Sequence, residues 1–527
     1  MKKYLSIALA LSMVLSLFTG CGSTSSDVSD NASSISGSTG SSGEKTIVIA
    51  ATRELPHFNV NAIDWQPYTS MSIYGALFKK SITGKLINDL CESYTISDDG
   101  LEYVFNLRKG VKWHDGEPFT SKDVKYTYDA IKEFKGQHVE KLRSLKEVVC
   151  PDEYTVVFKM SEIDSSLLPS LSMIKILAAH LYEGTDWLNN PANQNPVGTC
   201  PFKFVEYKKG AYLTLEAYDD YFLGRPAIDK LIFKTIPDEN TIVQAFLNRE
   251  IDIIDPTGPI SPAAIPILEK EPNVVISTEM TTSRQVMVTN LSKKPWDDIR
   301  VRRAVALAID RDMMVEKAHK GLAAKAEGFY TPGVEWAYAD EYKLPERDIE
   351  EAKRLLDEAG YKPDANGVRI KDVDLAIFQF AVFSDLSKII TANLKEVGIE
   401  CKVSNLEYSA WEEKCKNGDF DIALVGGNFG PDPDHMQVRI GDGGLLNFMK
   451  YHNDDIERLL KEGRQEPDLE KRGAIYKEMQ IIMSEELPII PLTEWCSIDV
   501  WRDNITGHYS QLPDTAGGQD YYYLDIK

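Results

Sequence analysis

The sequence predicts an α/β protein with a mixed sheet, organised as more than one domain. The chain has 527 residues, which is more than a single hydrophobic core usually organises. Between residues 350 and 425, helical and strand patterns alternate, as is typical of a sheet covered by helices. Residues 198–254 are instead dominated by short strand patterns. Together these observations indicate at least two domains.

The first half of the chain begins with a strand pattern at residues 45–51. Residues 68–80 have apolar side chains at helical spacing, with Met71, Tyr74 and Phe78 on one face, and we predict a helix there. Residues 94–107 predict a β-hairpin whose turn places a positive φ at Gly100. A helix capped by Thr120 or Ser121 follows, up to about residue 131.

The second half predicts two paired strands at residues 201–217, a strand at 231–236 and a short helix at 241–248. Further helices are predicted at the ranges 300–309, 311–320, 350–359, 386–397, 411–417 and 468–485. Gly360 and Gly398 stand where glycine commonly ends a helix. Strands are predicted at residues 373–380, 399–406 and 420–425.

The N-terminus has the pattern of a lipoprotein signal. Lys2 and Lys3 precede a mostly apolar segment, and Phe18-Thr19-Gly20-Cys21 follows it. This order is typical of a secretory signal at residues 1–20, and Cys21 is the predicted lipidation site. Residues 21–43 are rich in Ser and Gly, which predicts a flexible tether. A lipid on Cys21 would attach the folded body to the membrane.

The charge balance excludes one class of function. The formal net charge is −22, and such a surface is repelled by phosphate backbones, so we expect no nucleic-acid partner. After residue 20, no stretch approaches the roughly 20 apolar residues that a membrane span needs.

The catalytic and metal signals are weak. Neither H-E-x-x-H nor G-x-S-x-G occurs, so a secreted hydrolase is disfavoured. The six cysteines after Cys21 show no zinc spacing and are predicted to be mostly buried free thiols, while disulfides stay open for an exported protein. His114, in a turn before Pro118, is assigned a structural role. We therefore expect no cofactor and no enzymatic activity.

Four blocks of sequence resemble one family. Residues 90–131 (LCESYTISDDGLEYVFNLRKGVKWHDGEPFTSKDVKYTYDAI) closely resemble the signature region of the oligopeptide/dipeptide/nickel class of extracellular solute-binding proteins. Residues 195–222, 295–312 and 461–492 resemble further blocks of that family, in the family's order. One departure is Cys200, where the family usually has Gly.

The resemblance implies a two-lobed, periplasmic-binding-protein-like fold with an extra domain and a hinge between the lobes. Lobe I would comprise residues 44–83, 196–285 and 493–527. Domain II, residues 84–195, would pack on it, and lobe II would comprise residues 286–492. The solute would bind between the lobes, whose closure is a hinge motion.

The loop at residues 425–439 (VGGNFGPDPDHMQVR) follows a predicted strand, a usual ligand position in α/β sheets. In peptide-binding relatives an aspartate of this loop pairs with the peptide α-amino group. Phe429 occupies that position here, so Asp432 or Asp434 would have to replace it. A rigid capping turn is the alternative role of these two aspartates.

Other ligand contacts are predicted around this loop. The predicted residues are Asn428 and Arg439 in the loop, Arg284 near the hinge, and the aromatic residues Trp65 and Tyr68 of lobe I. Either arginine could pair with a carboxylate, and packing roles remain open for all of them. His435 would bind metal only if the solute were a metal complex.

The resemblance implies a solute-binding lipoprotein of an ABC importer. We expect it to be a monomer and to bind short peptides. Its partners would be an ABC permease with its ATPase subunits and, through the lipid, the membrane. A sugar or a nickel or metallophore complex on the same scaffold stays open, because a fold does not determine its ligand. A sensing role also stays open.

Overall fold

The computed structural model describes residues 43–52, 54–62, 72–82, 84–256, 259–340, 342–430 and 432–527. In chain order the strands are β1 (Thr46–Ala51), β2 (Phe78–Lys80), β3 (Leu86–Asn88), β4 (Cys91–Ile96), β5 (Glu102–Leu107), β6 (Leu145–Asp152), β7 (Thr155–Met160), β8 (Phe202–Lys208), β9 (Tyr212–Ala217), β10 (Lys230–Thr235), β11 (Ile253–Ile254), β12 (Val274–Thr289), β13 (Ala323–Lys325), β14 (Ile370–Phe378), β15 (Ile399–Leu406), β16 (Ile422–Asn428), β17 (Ile490–Arg502), β18 (Ile505–Thr506) and β19 (Asp525–Ile526).

The α-helices are interspersed with the strands. They are α1 (Ser121–Phe134), α2 (Leu167–Leu171), α3 (Ala179–Tyr182), α4 (Glu239–Leu247), α5 (Ile265–Leu268), α6 (Ile299–Ala308), α7 (Arg311–Met313), α8 (Ile349–Glu358), α9 (Ala381–Glu396), α10 (Tyr408–Asn417), α11 (Gln437–Ile440), α12 (Asp454–Gln465) and α13 (Leu469–Glu486). Within the described ranges, none is both long and apolar enough to cross a bilayer.

The mixed α/β architecture is confirmed. One large sheet has the strand order β15-β14-β16-β12-β17-β11-β1-β10-β9-β8, and β13 pairs with β17 beside it. β4, β5, β7 and β6 form a separate four-stranded antiparallel sheet. The large sheet contains both parallel pairs, such as β1 with β10, and antiparallel pairs, such as β12 with β17.

Two long strands connect the two ends of the large sheet. The first part of β12 pairs with the end of β17, and its last residues pair with β16 and with the start of β17. The register between β12 and β17 shifts between Met280 and Arg284, opposite Cys496 and Glu494. A bulge of this kind bends and twists a strand pair, so the sheet changes direction at this point.

The buried side chains form separate clusters. The core that we call the second core has all its buried members between Val286 and Leu492. The core that we call the first core draws on β1, on the four-stranded sheet and on the C-terminal segment from Trp501 to Leu524. A third, smaller cluster surrounds α4 and α5. The register shift in β12 and β17 lies where the first and second cores meet.

The predicted helix at residues 68–80 is wrong for its described part. Residues 72–77 contain no helix, and Phe78–Lys80 forms β2, paired with β3. Residues 72–78 are all buried. The apolar side chains at helical spacing therefore do not form the single buried face of a helix. A Cβ on Gly75 would lie 2.6 Å from Oγ1 of Thr199, so the chain passes through the core at close approach.

Most other element predictions are confirmed within a few residues. The hairpin is β4 and β5, and Gly100 has a φ of 69°. Thr120 caps α1 and forms a capping box with Asp123. The helix predicted at residues 311–320 is divided. α7 covers only Arg311–Met313, and a π-helical turn follows at Met314–Ala318.

The sequence predictions for cysteine and His114 are also confirmed. Cys91, Cys150, Cys200, Cys401, Cys415 and Cys496 are all free thiols. The ring of His114 accepts a hydrogen bond from the Gly198 amide at Nδ1 and bonds the Cys200 carbonyl through Nε2. Burial lowers its pKa to about 4, so a neutral His114 ties the turn to the start of β8.

Candidate ligand cleft

Two adjoining cavities lie where the cores meet. The larger, which we call the cleft cavity, has a volume of about 720 Å³. Its wall includes Pro237 and Pro259 on one side, and Phe380 and Trp495 on the other. The smaller, which we call the lysine cavity, has a volume of about 280 Å³. Ligand pockets commonly have such volumes and lie between structural units.

The cleft cavity has an aromatic wall. The rings of Phe380 and Trp495 stack with their centroids 5.3 Å apart and an interplanar angle of 23°. Both side chains are only half-buried, so part of each ring faces the cavity. Gln379, Ser384 and Asn405 add polar groups nearby. Flat apolar faces with a few polar groups suit a ligand that has both apolar and amide parts.

Arg284, in β12, is completely buried. Its guanidinium donates to both carboxylate oxygens of Glu494 and to the carbonyls of residues 328, 329 and 330. Burial raises the pKa of Glu494, and the Arg284 charge opposes that rise. The predicted carboxylate partner of Arg284 is thus present within the protein itself, and a contact with ligand stays a prediction.

Phe429 and Arg439 form a stacked pair in the loop after β16. The guanidinium carbon of Arg439 lies 3.7 Å from the centroid of the Phe429 ring, which is a favourable cation–π geometry. Arg439 also donates to the Asn428 carbonyl at 2.9 Å. Burial and the nearby Arg284 charge lower the pKa of Arg439 to about 9. Phe429 therefore supports a buried cation in this loop.

Asp432 and Asp434 are both buried and both engaged. Arg472 donates to the two carboxylate oxygens of Asp432 at 2.6 and 2.8 Å. Asp434 accepts from Arg143 at 2.9 Å and from Nε of Arg464 at 3.1 Å. Asp432 also caps the short helix at Pro433–Met436, so the capping turn is confirmed. Replacement of the family's aspartate by either residue stays a prediction.

Metal binding at His435 gains no support from its surroundings. In the part of the chain that the structure describes, no group of three His, Cys, Asp or Glu side chains is arranged to hold a metal ion. Burial and neighbouring positive charges hold the pKa of His435 well below its usual range. The ring packs against Gly430, whose φ is 70° and where a Cβ would lie 2.3 Å from the His435 ring.

Several predicted residues fall outside the described ranges. These are Cys21, Trp65 and Tyr68. Sequence reasoning also missed residues that the structure brings to the cavities, namely Phe380, Trp495, Lys80 and Lys175. Lys175 carried a usable signal, because it is a lone charge in the apolar run at residues 173–179.

Asp499, on the wall of the lysine cavity, makes a prediction about pH. Burial raises the pKa of its carboxyl to about 7, and repulsion by the charges of Asp255 and Glu279 adds to the rise. The hydrogen bond that Tyr509 donates to the carboxyl at 2.5 Å opposes the rise. The unfolded chain ionises near pH 3.9. Between these values the folded state binds more protons, so the free energy of unfolding should fall as pH rises from about 4 to 7.

The contribution of Asp499 to the pH dependence of the free energy of unfolding can be measured by comparing the parent protein with a variant. One carboxyl with such a shift contributes up to about 4 kcal/mol over that range. We expect urea unfolding of Asp499→Asn at pH 4, 5.5 and 7 to show a smaller decline than the parent protein. Equal pH slopes for the two proteins would contradict the prediction.

Comparison with known proteins gives consistent results. Residues 85–443 match the model of the bacterial extracellular solute-binding proteins, family 5 middle region. The oligopeptide-binding protein AppA of Bacillus subtilis is 30% identical over 507 residues, which cover 91% of each chain.

Two solved structures have a similar fold. The crystal structure of NikZ from Campylobacter jejuni in complex with Ni(L-His) superposes with a TM-score of 0.82 at 25% identity, covering 92% of this chain and 100% of that one. AppA from Bacillus subtilis in complex with a nonapeptide gives a TM-score of 0.80 at 27% identity, covering 92% and 99%.

Proposed function

Because this chain belongs to the bacterial extracellular solute-binding proteins of family 5, we propose that it captures short peptides and delivers them to a membrane permease. Members of the family are non-enzymatic solute-binding components of ABC transporters. The observation that carries the peptide proposal is the pair of adjoining cavities between the cores, one with an aromatic wall and one with lysines.

The proposed mechanism is closure around the solute. Lobe I (residues 44–83, 196–285 and 493–527) and domain II (84–195) form one side, and lobe II (286–492) forms the other. The hinge lies at the register shift of β12 and β17. The confinement of the second core to residues 286–492 supports this division. A solute that contacts both sides favours the closed state by its differential affinity.

The proposed location is outside the cytoplasmic membrane, with a lipid on Cys21 as the anchor. The tether at residues 22–43 would let the folded body reach the permease while it stays attached. A diacylglycerol supplies the two acyl chains that stable attachment needs.

The first test identifies the ligand. We expect the protein purified from a peptide-rich medium, then denatured, to release a set of short peptides that mass spectrometry identifies. Peptides suit the cleft because they combine apolar side chains with amide groups. A released sugar or metal complex would overturn the peptide assignment and leave the family role intact.

The aromatic wall can be tested on the same ligand. Trp495→Ala should weaken binding about tenfold, since a lost aromatic contact is worth about 1.4 kcal/mol. The matched control is Phe134→Ala, which breaks a stacked pair with Trp187 far from the cleft in sequence and outside its lining. Equal affinity of both variants, measured by calorimetry, would remove the aromatic wall from the proposal.

A further inference from the structure

The lysine cavity contains two cations without a partner. Lys79, Lys80 and Lys175 line it, and Lys175 is only 6% exposed. Among the described residues, the Nζ atoms of Lys80 and Lys175 have neither a hydrogen bond nor an ion pair. A buried ammonium without a counter-charge is unfavourable, so the buried Lys175, next to a second, partly exposed lysine, calls for an explanation.

Lys79, in the same cavity, shows the usual arrangement. Its Nζ lies 3.0 Å from Asp520 and 3.6 Å from Asp89. Burial disfavours the charge of Lys79, yet these two carboxylates outweigh it and raise the pKa. Burial instead lowers the pKa of Lys80 and of Lys175. Lys79 therefore has carboxylate partners, whereas Lys80 and Lys175 have none among the described residues.

The acidic groups on the cavity wall do not fill this role. Asp520 is bound by Lys79, and Asp499 accepts hydrogen bonds from Tyr509 and Ser497. Glu279 is exposed to solvent. The positive potential is therefore local, in a protein whose formal net charge is −22.

Further cations lie near His435, in the loop after β16. Besides burial, the charges of Lys141, Arg439 and Lys80 act on the ring of His435 and lower its pKa. These side chains come from both sides of the cleft. An anion placed among them would be attracted by all of these charges in a poorly solvated site.

The two cavities share part of their lining. Pro256, Thr281, Ser283 and Ser497 line both of them, so the two cavities adjoin.

We propose that the lysine cavity binds a carboxylate of the solute, held by Lys80 and Lys175, while the cleft cavity holds the solute's apolar part. The inference rests on the proposed function, because it names the chemistry of one end of the same solute. For a short peptide the group is the C-terminal carboxylate. Ammonium groups paired with a carboxylate in a buried site form strong charge-assisted hydrogen bonds.

The experiment compares two random tripeptide libraries, one with free C-terminal carboxylates and one with C-terminal amides. With refolded, ligand-free protein, we expect the free acids to bind about tenfold more tightly, the equivalent of one charge-assisted hydrogen bond. Lys80→Met and Lys175→Met should each reduce that preference, because they weaken the binding of the free acids more than the binding of the amides.

Thermal unfolding of the ligand-free variants gives an independent measurement. Lys175→Met should raise Tm, since it removes an unpaired buried charge. Lys79→Met is the matched control and should lower Tm, since it leaves Asp89 and Asp520 unpaired. A fall in Tm for both variants would assign Lys175 a structural role and overturn the proposal.

The outcomes separate this inference from peptide binding itself. If both libraries bind equally well and the lysine variants change nothing, the carboxylate site is wrong and peptide capture stands. If neither library binds, succinate and inorganic phosphate are the probes. Stabilisation by succinate that is lost in Lys80→Met supports the site without peptides. Stabilisation by phosphate alone, or by neither probe, overturns it.

Discussion

Replacing Arg284 by methionine is expected to lower the free energy of unfolding by about 3–5 kcal/mol. The guanidinium is completely buried and holds both oxygens of Glu494 and three carbonyls of residues 328–330. Methionine has a similar length but donates no hydrogen bond. The substitution therefore leaves a buried carboxylate and several carbonyls without donors.

Chemical unfolding measures this change, and two further variants interpret it. Arg284→Met/Glu494→Leu should recover part of the lost stability, since it removes the unpaired carboxylate as well. Arg300→Met is the control, because Arg300 pairs with Asp298 at the surface, where an ion pair contributes at most about 1 kcal/mol. A loss for Arg284→Met no larger than for Arg300→Met would contradict the role of Arg284.

The strand and helix pattern could be predicted because most elements bury one face. β5, for example, alternates buried and less buried residues, so its period of two is visible in the sequence. The prediction failed where this condition does not hold. Residues 72–78 are buried on every side, and a continuous apolar run does not distinguish a helix from an extended chain.

The candidate site was less predictable, because its side chains meet only through tertiary packing. Asp432 and Asp434 were singled out by their turn pattern, but their partners Arg472, Arg464 and Arg143 lie between 30 and 291 residues away. No pattern within a short stretch of sequence predicts ion pairs between residues so far apart. The stacking of Phe380 on Trp495 likewise joins a loop to β17 across the sheet.

These pairs change how the loop after β16 is understood. Its acidic residues hold the loop in place and connect it to other elements. Arg439 remains as a buried cation stacked on Phe429. The loop therefore carries a buried positive charge near its packed aromatic ring.

Asp434→Asn is expected to weaken solute binding by about ten- to a hundredfold. Asp434 accepts from Arg464 within the second core and from Arg143, which follows the short helix at Val139–Leu142. Ser165 and Gln465 add contacts between the same two regions, from Ser165 to the carbonyls of Arg464 and Glu466 and from Gln465 to Glu162. These contacts join the two sides that the proposed closure brings together, so we expect their loss to lower the closed fraction.

Apparent affinity scales with that fraction, and a hydrogen bond to a charged group contributes about 1.5–3 kcal/mol, which corresponds to the expected range. Calorimetry with the co-purified ligand measures the affinity, and small-angle scattering of the liganded protein measures closure. We expect both to change in Asp434→Asn, with a larger radius of gyration at subsaturating ligand.

Arg143→Gln separates closure from direct recognition by Asp434. This variant removes the contact between the two regions but leaves the carboxylate in place, still paired with Arg464. If Asp434 acts through closure, Arg143→Gln weakens binding as well, with little change in the stability of the second core. If Asp434 instead binds a peptide α-amino group, Arg143→Gln preserves or strengthens binding, since the carboxylate loses a competing cation. The sign of that one change in affinity decides between the two roles.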